Sequence, residues 1–271
     1  SSPWSHHLGN VAIHGAVVIA VLELLLLLLG HSGAALLGAL LFGLHPAHSE
    51  TVYYVSSRSE SLAALFVLLA LILHIRSACD GRGRTAGHLA TVGAFVAGLL
   101  TKSTAIVFLP LALLVDILAR PGMWRRRWQA HVSHAVVAAA YLIYTRDLLA
   151  KATLSAPVRS FTEQFWSQLK GVVYYLQLLA LPRDLTVDHQ FQLSSGPDTY
   201  AASALLFLGS ALFMCFMWRS SRPMVVLLAA WFLLALAPAS MVPLNVIINE
   251  HRIYLSGVAF AAGGAWLTAH P

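Results

Sequence analysis

His45-Pro46-Ala47-His48-Ser49-Glu50-Thr51-Val52-Tyr53-Tyr54-Val55-Ser56-Ser57-Arg58-Ser59-Glu60 is a polar, ionisable strip set between two apolar runs, 33–44 and 61–73. Only 10% of the chain is charged, so two histidines, two glutamates and an arginine in one strip concentrate groups that the rest of the sequence avoids. Ionisable groups at or near a hydrocarbon layer are energetically expensive and mark working sites. A second cluster, Asn249-Glu250-His251-Arg252, lies far along the chain, again between apolar segments. Together the two clusters predict a polar chamber at the end of a helical membrane domain.

Working outward, the composition agrees. Of 271 residues 58% are apolar, and the mean hydropathy is +0.74. A soluble domain carries about a quarter charged residues. Runs such as 16–29 and 203–218 approach the apolar length of a membrane span. They are continuously apolar rather than alternating, which excludes a transmembrane barrel. The net charge of +6 comes from basic residues in short interhelical loops, where topology accounts for them without a nucleic acid. Cys79, in a basic loop, and Cys215, in an apolar segment, read as unpaired. No CxxC or HExxH spacing is present, so no metal site and no cofactor is expected; a divalent metal is compatible with the chemistry below, but no spacing indicates one.

Apolar segments at 10–30, 34–45, 61–75, 88–100, 104–118, 130–144, 201–218, 225–236 and 253–267 read as spans. Segment 166–181 is amphipathic, suited to lying on the membrane or re-entering it. The expected fold is all-α: a polytopic helical bundle of about eight to nine spans plus interfacial or re-entrant helices. Residues 1–271 form a single transmembrane domain, expected to be a piece of a longer protein. Loops 76–84, 120–127 and 219–222 hold nine of the seventeen Lys and Arg, which assigns them to the cytoplasm by the positive-inside rule. Strips 46–60, 101–103, 145–198 and 245–252 then share the outer face. An integral protein of a bacterial inner membrane or an endoplasmic reticulum is expected.

Each polar residue carries a structural and a functional reading. If 50–58 is one helix, Glu50 and Arg58 point the same way and pair, with His45 capping a helix end. Functionally, Arg58 and a histidine bind a phosphate while the carboxylate orients an acceptor or base. Lys102, alone between apolar spans, either snorkels or faces a phosphate. Glu250 and Arg252 either pair or grip an anionic leaving group. Arg125–Arg127 reads as topology and headgroup contact. His14 and Glu23 satisfy polar neighbours inside the bundle.

The stretch from Leu41 to Leu71 resembles the His-Pro-x-His-x-Glu segment of the transmembrane and tetratricopeptide-repeat O-mannosyltransferases. Residues from Leu99 to Leu118 are similar to that family's Lys-Glu segment with its Leu-Pro and late Asp, and those from Leu244 to Phe260 to its Asn-Glu-Arg-x-Tyr-Leu segment. His6 to Gly15 has its His-x-x-Asn-x-x-x-His pattern. The resemblance implies a GT-C-type glycosyltransferase, moving a mannose-like sugar from a polyprenyl-phosphate carrier to a protein or other acceptor on the extracytoplasmic face. It implies catalytic roles for Glu50, His48 and Glu250, and places His45, Arg58, Lys102 and Arg252 at the substrate and lipid phosphate. The implied partners are a lipid-linked sugar, membrane lipids, and a protein acceptor or larger membrane complex. The family's acidic motif lies on a first outer loop expected before Ser1, and Ser103 stands where the family carries an acid. Two other classes fit the same residues: a non-catalytic scaffold subunit, and a proton-coupled transporter using His14, Glu23 and the 45–60 strip, for which no internal repeat is found.

Overall fold

The computed structural model describes residues 3–77, 84–154, 159–183, 185–186, 191–218, 222–241 and 246–269. Among them there is no strand. Twelve helices follow in order: α1 (Pro3–Leu29), α2 (Ser32–Gly43), α3 (Ser49–Tyr53), α4 (Arg58–Arg76), α5 (Arg84–Thr101), α6 (Phe108–Leu114), α7 (Met123–Arg126), α8 (Trp128–Leu154), α9 (Phe161–Ala180), α10 (Thr199–Trp218), α11 (Pro223–Met241) and α12 (Tyr254–Ala269). Short 3-10 turns at Pro46–His48, Val55–Ser57, Ser103–Val107 and Glu250–Ile253 and a π-helical turn at Val115–Ala119 complete the chain.

All nine apolar segments read as spans are helical. Three stretches, Trp4–Leu29, Val55–Arg76 and Pro223–Met241, are long and apolar enough to cross a membrane by length and composition; Ser32–Gly43, Ser103–Ala119 and Thr199–Met214 are shorter apolar helices. Apolar side chains such as Leu206, Phe207 and Phe213 on α10 and Val136 and Ile143 on α8 face outward, an arrangement that suits lipid rather than water.

The centre is built from α1, α2, α4 and α12, whose buried faces supply Val17, Val21, Leu24, Phe42, Leu68, Leu71, Val258 and Ala262. Small residues bring the backbones close. A Cβ on Gly38 would lie 2.5 Å from Leu25 Cδ1 and 2.9 Å from Ala265 Cβ, so α2 sits against both α1 and α12. Such close approach is the usual means of packing helices where lipid removes the hydrophobic driving force. Gly30 ends α1 at φ +66°, a left-handed conformation that glycine adopts without strain, and turns the chain into α2.

Two expectations fail on local chemistry. The 46–60 strip is not one helix: α3 stops at Tyr54, which is extended at φ −82°, ψ 114°, before a new turn leads into α4. The polar loop expected from Thr145 is instead the last turns of α8, because Leu148-Leu149-Ala150-Lys151-Ala152 is a run of good helix formers. The amphipathic segment is α9, opened by a capping box in which Ser160 and Glu163 exchange hydrogen bonds. Its polar face turns inward: Gln164 and Gln168 donate to the Ser240 and Ile247 carbonyls, while Phe161 and Phe165 are exposed.

Helix α4 sets the axis. Arg58 begins it and Arg76 ends it, about 27 Å apart at 1.5 Å per residue. At the Arg58 end lie the α1 start, Glu60, Lys102, α3 and the Glu250–Ile253 turn. At the Arg76 end, Glu23 pairs with Arg76, Arg120 donates to the Ile75 carbonyl, and Arg127 donates to that of His74.

Candidate functional site

The two polar clusters of the sequence meet at the Arg58 end. Glu50, in the first turn of α3, accepts the backbone N–H of His251 at 2.9 Å on Oε2 and the His251 ring Nδ1–H at 2.7 Å on Oε1. These partners are 201 positions apart in the chain. Glu50 is buried, which by itself raises a carboxyl group; the His251 hydrogen bonds and ring outweigh that and hold it below the ordinary carboxylate range. Glu50 is therefore ionised at neutral pH.

Glu250, also buried, accepts the Thr186 backbone N–H at 2.7 Å. Both glutamates line one open cleft of about 270 Å³, with Ser49, Tyr53 and Tyr54 from α3 and Leu185 and Thr186 opposite. Tyr53 and Tyr54 are exposed at its rim. The Glu250 loop is fixed from behind by Tyr175, whose hydroxyl donates to the Asn249 carbonyl at 3.1 Å and accepts the Asn249 N–H at 3.0 Å.

His48 lies in a packed layer of rings with Phe42 and Tyr254, at 4.4 and 5.0 Å between centroids. Its Nδ1–H donates to the Phe42 carbonyl at 2.8 Å. Burial pushes its pKa down to about 3, so the ring is neutral. Its Nε2 faces Gly257, where a Cβ would be only 2.5 Å away. His45 caps the 46–48 turn: its Nδ1 accepts the Ala47 N–H at 3.2 Å, and its Nε2–H donates to the Leu179 carbonyl at 2.8 Å. His14 joins α1 to the core through the Tyr254 hydroxyl at 2.6 Å and the Gly43 carbonyl at 3.0 Å.

None of the three singled-out cations lines that cleft. Arg58 does not pair with Glu50, because the break at Tyr54 destroys the shared helical phase; it donates instead to Asn10 Oδ1 at 2.7 Å and the His6 carbonyl at 3.0 Å. Lys102 is not alone: it forms an ion pair with Glu60. Arg252 turns into its own loop and donates to the Ile247 and Val246 carbonyls at 2.7 and 2.9 Å. His251 is the partner that the sequence reading passed over, although it sits inside the Asn249–Arg252 cluster. The loop residues 78–83, 184, 187–190, 219–221 and 242–245 lie outside the described residues.

Fold and cleft together define an all-α integral membrane protein with two buried carboxylates in an open cleft at one end of its bundle. The chain is similar to Protein O-mannosyl-transferase TMTC2 of Homo sapiens, 38% identical over 85 residues, which is 31% of this chain and 10% of that protein. It is 34% identical to the Mus musculus TMTC2 over 121 residues, covering 43% of this chain and 14% of the relative. Against Drosophila melanogaster Tmtc2 it is 29% identical over 205 residues, 69% of this chain and 21% of the relative. The chain thus spans only about a tenth to a fifth of these three relatives. No protein-family model matches it, and no solved structure does.

Proposed function

We propose that this chain is part of the membrane domain of a GT-C-type glycosyltransferase, moving a mannose-like sugar from a polyprenyl-phosphate carrier to a protein hydroxyl on the extracytoplasmic face. The observation that carries the proposal is the meeting of the two sequence clusters at one cleft, with Glu50 held ionised and Glu250 beside it. The likeness to proteins named O-mannosyl-transferases supports it. In this reading Glu50 takes the proton of the acceptor hydroxyl as the acceptor oxygen bonds to the sugar's anomeric carbon. The bond from that carbon to the phosphate oxygen breaks, and its electron pair leaves on the lipid phosphate. Arg58, Lys102 and Arg252 are the cations nearest in role to that phosphate; each exchanges an internal partner for it. His251 positions Glu50.

A scaffold without transfer activity is favoured by one observation: all three cations already have internal partners. One experiment separates the two. The gene's full product is reconstituted in vesicles with a radiolabelled polyprenyl-phosphate mannose and a Ser/Thr peptide. Transfer is expected, and Glu50→Gln is expected to lower it by about a hundredfold or more while the carrier still binds. Carrier binding with no transfer by the wild type supports the scaffold; transfer unaffected by Glu50→Gln removes Glu50 from catalysis.

A further inference from the structure

A cluster at the opposite end of the bundle takes no part in that chemistry. His74 stands near the end of α4, Asp116 on the π-helical turn 115–119, and His131 on α8. His74 Nε2 and His131 Nε2 each lie 3.0 Å from the same Asp116 oxygen, Oδ2, and the three atoms are all within 4.8 Å of one another. His74 and Asp116 are fully buried, while His131 is partly exposed, at 16%. We propose that His74, Asp116 and His131 bind a divalent transition-metal ion, with zinc(II), cobalt(II) and iron(II) as the matching class.

The donor chemistry fits. Imidazole nitrogen and carboxylate oxygen suit these ions, and two histidines with one carboxylate leave positions open for water. Ligands about 2.1 Å from one ion stand about 3.0 Å apart at the right angles of an octahedral site and about 3.4 Å apart at tetrahedral angles, so the 3.0 Å nitrogen–oxygen separations here need little adjustment to admit an ion. The π turn supports the placement, since an extra residue in a helix re-aims one side chain and such turns concentrate at functional sites.

An independent observation points to an occupant. Asp116 Oδ1, His74 Nδ1 and both ring nitrogens of His134 are buried with no hydrogen-bond partner among the described residues. His134 is fully buried, its ring 5.5 Å from that of His74 and 6.3 Å from that of His131. Two histidines hydrogen-bonded to one carboxylate leave this group of polar atoms unserved, which native interiors avoid. Water on an ion's open positions gives Asp116 Oδ1 and a His134 ring nitrogen the partners they lack.

One cationic side chain stands close to the site. Arg127 approaches Asp116 Oδ2 at 4.0 Å, but its guanidinium is engaged by the His74 carbonyl at 2.5 Å and Ser77 Oγ at 2.9 Å, at the carbonyl-rich end of α4. His88 bonds Ser133 on the far side of His134, 5.4 Å from it between rings. An ion here ties α4, the 115–119 turn and α8 together, independently of the transferase reading.

The test uses the untagged chain in detergent, stripped with EDTA and reloaded. One cobalt(II) per chain with visible d–d absorption is expected, displaced by zinc(II), and melting is expected several degrees higher with zinc than with chelator. His131→Ala and Asp116→Asn are each expected to weaken zinc binding at least tenfold, while His14→Gln, at the other end, leaves it unchanged. No spectrum and identical melting of stripped and reloaded wild type overturn the proposal without needing any variant. So does binding that is undiminished in His131→Ala.

Discussion

Glu50 and His48 are two residues apart and both buried, yet one is held charged and the other neutral. The difference lies in their partners. Glu50 receives two donors from His251, whereas His48 meets one carbonyl and a wall of rings, with His45 and His14 also facing it. Burial lowers the His48 pKa from an ordinary 6.5 to about 3. A histidine lowered on folding leaves stability intact above its unfolded value and removes it as pH falls from there towards the folded one. Between roughly pH 6.5 and 3, then, His48 by itself withdraws stability, by about 2 kcal/mol at pH 5. Melting of the chain in detergent should fall over that range. His48→Asn, whose amide can still donate to the Phe42 carbonyl, should flatten the dependence; an unchanged slope would assign it to other groups.

At the scale of elements, the sequence foretold where helices run better than how their faces turn. The apolar segments all became helices because hydrophobic length is a local property. The 46–60 strip was misphased because a single extended residue, Tyr54, separates two helical turns, and no periodicity argument sees such a break. That the Glu50 and Glu250 clusters share one chamber follows from the two ionisable strips and from the resemblance, but the contact of Glu50 with His251 has no local signal, since the two are 201 positions apart. The Asp116 cluster went unread because its members come from three elements; the one trace was His131 and His134 a helical turn apart. Packing, too, was hidden in the small residues. Gly38 is expected to be intolerant: Gly38→Ala puts a methyl group 2.9 Å from Ala265 Cβ, which cannot rotate away, and 2.5 Å from Leu25, which can. The change should destabilise by about 1–3 kcal/mol. Gly209→Ala, where nothing lies within 4 Å, is the control and should be neutral or slightly stabilising in a melt.

Across the whole molecule, the two ends of α4 each collect polar groups. Glu50, Glu60, Glu250, Arg58, Lys102 and Arg252 sit at one end, while Glu23, Arg76, Arg120, Arg127 and the Asp116 cluster sit at the other. Arginines from the 76–84 and 120–127 loops gathered at one end match the bias that fixes membrane orientation, in which Lys and Arg are retained on the cytoplasmic side. By that bias the cleft end is expected to face out, the side that the proposed transfer requires. Orientation is open to a direct test with exposed reporters chosen away from both clusters' hydrogen bonds. Ser56, in the turn before α4, and Thr85, at the start of α5, are both exposed. With Cys79 and Cys215 replaced by alanine, Ser56→Cys should react with a membrane-impermeant maleimide in intact cells, or in sealed vesicles of matching orientation. Thr85→Cys should react only after the membrane is permeabilised. The reverse pattern would turn the bundle over, move the Glu50 cleft to the cytoplasm, and sink the assignment of an extracytoplasmic reaction even if the cleft itself binds a lipid phosphate.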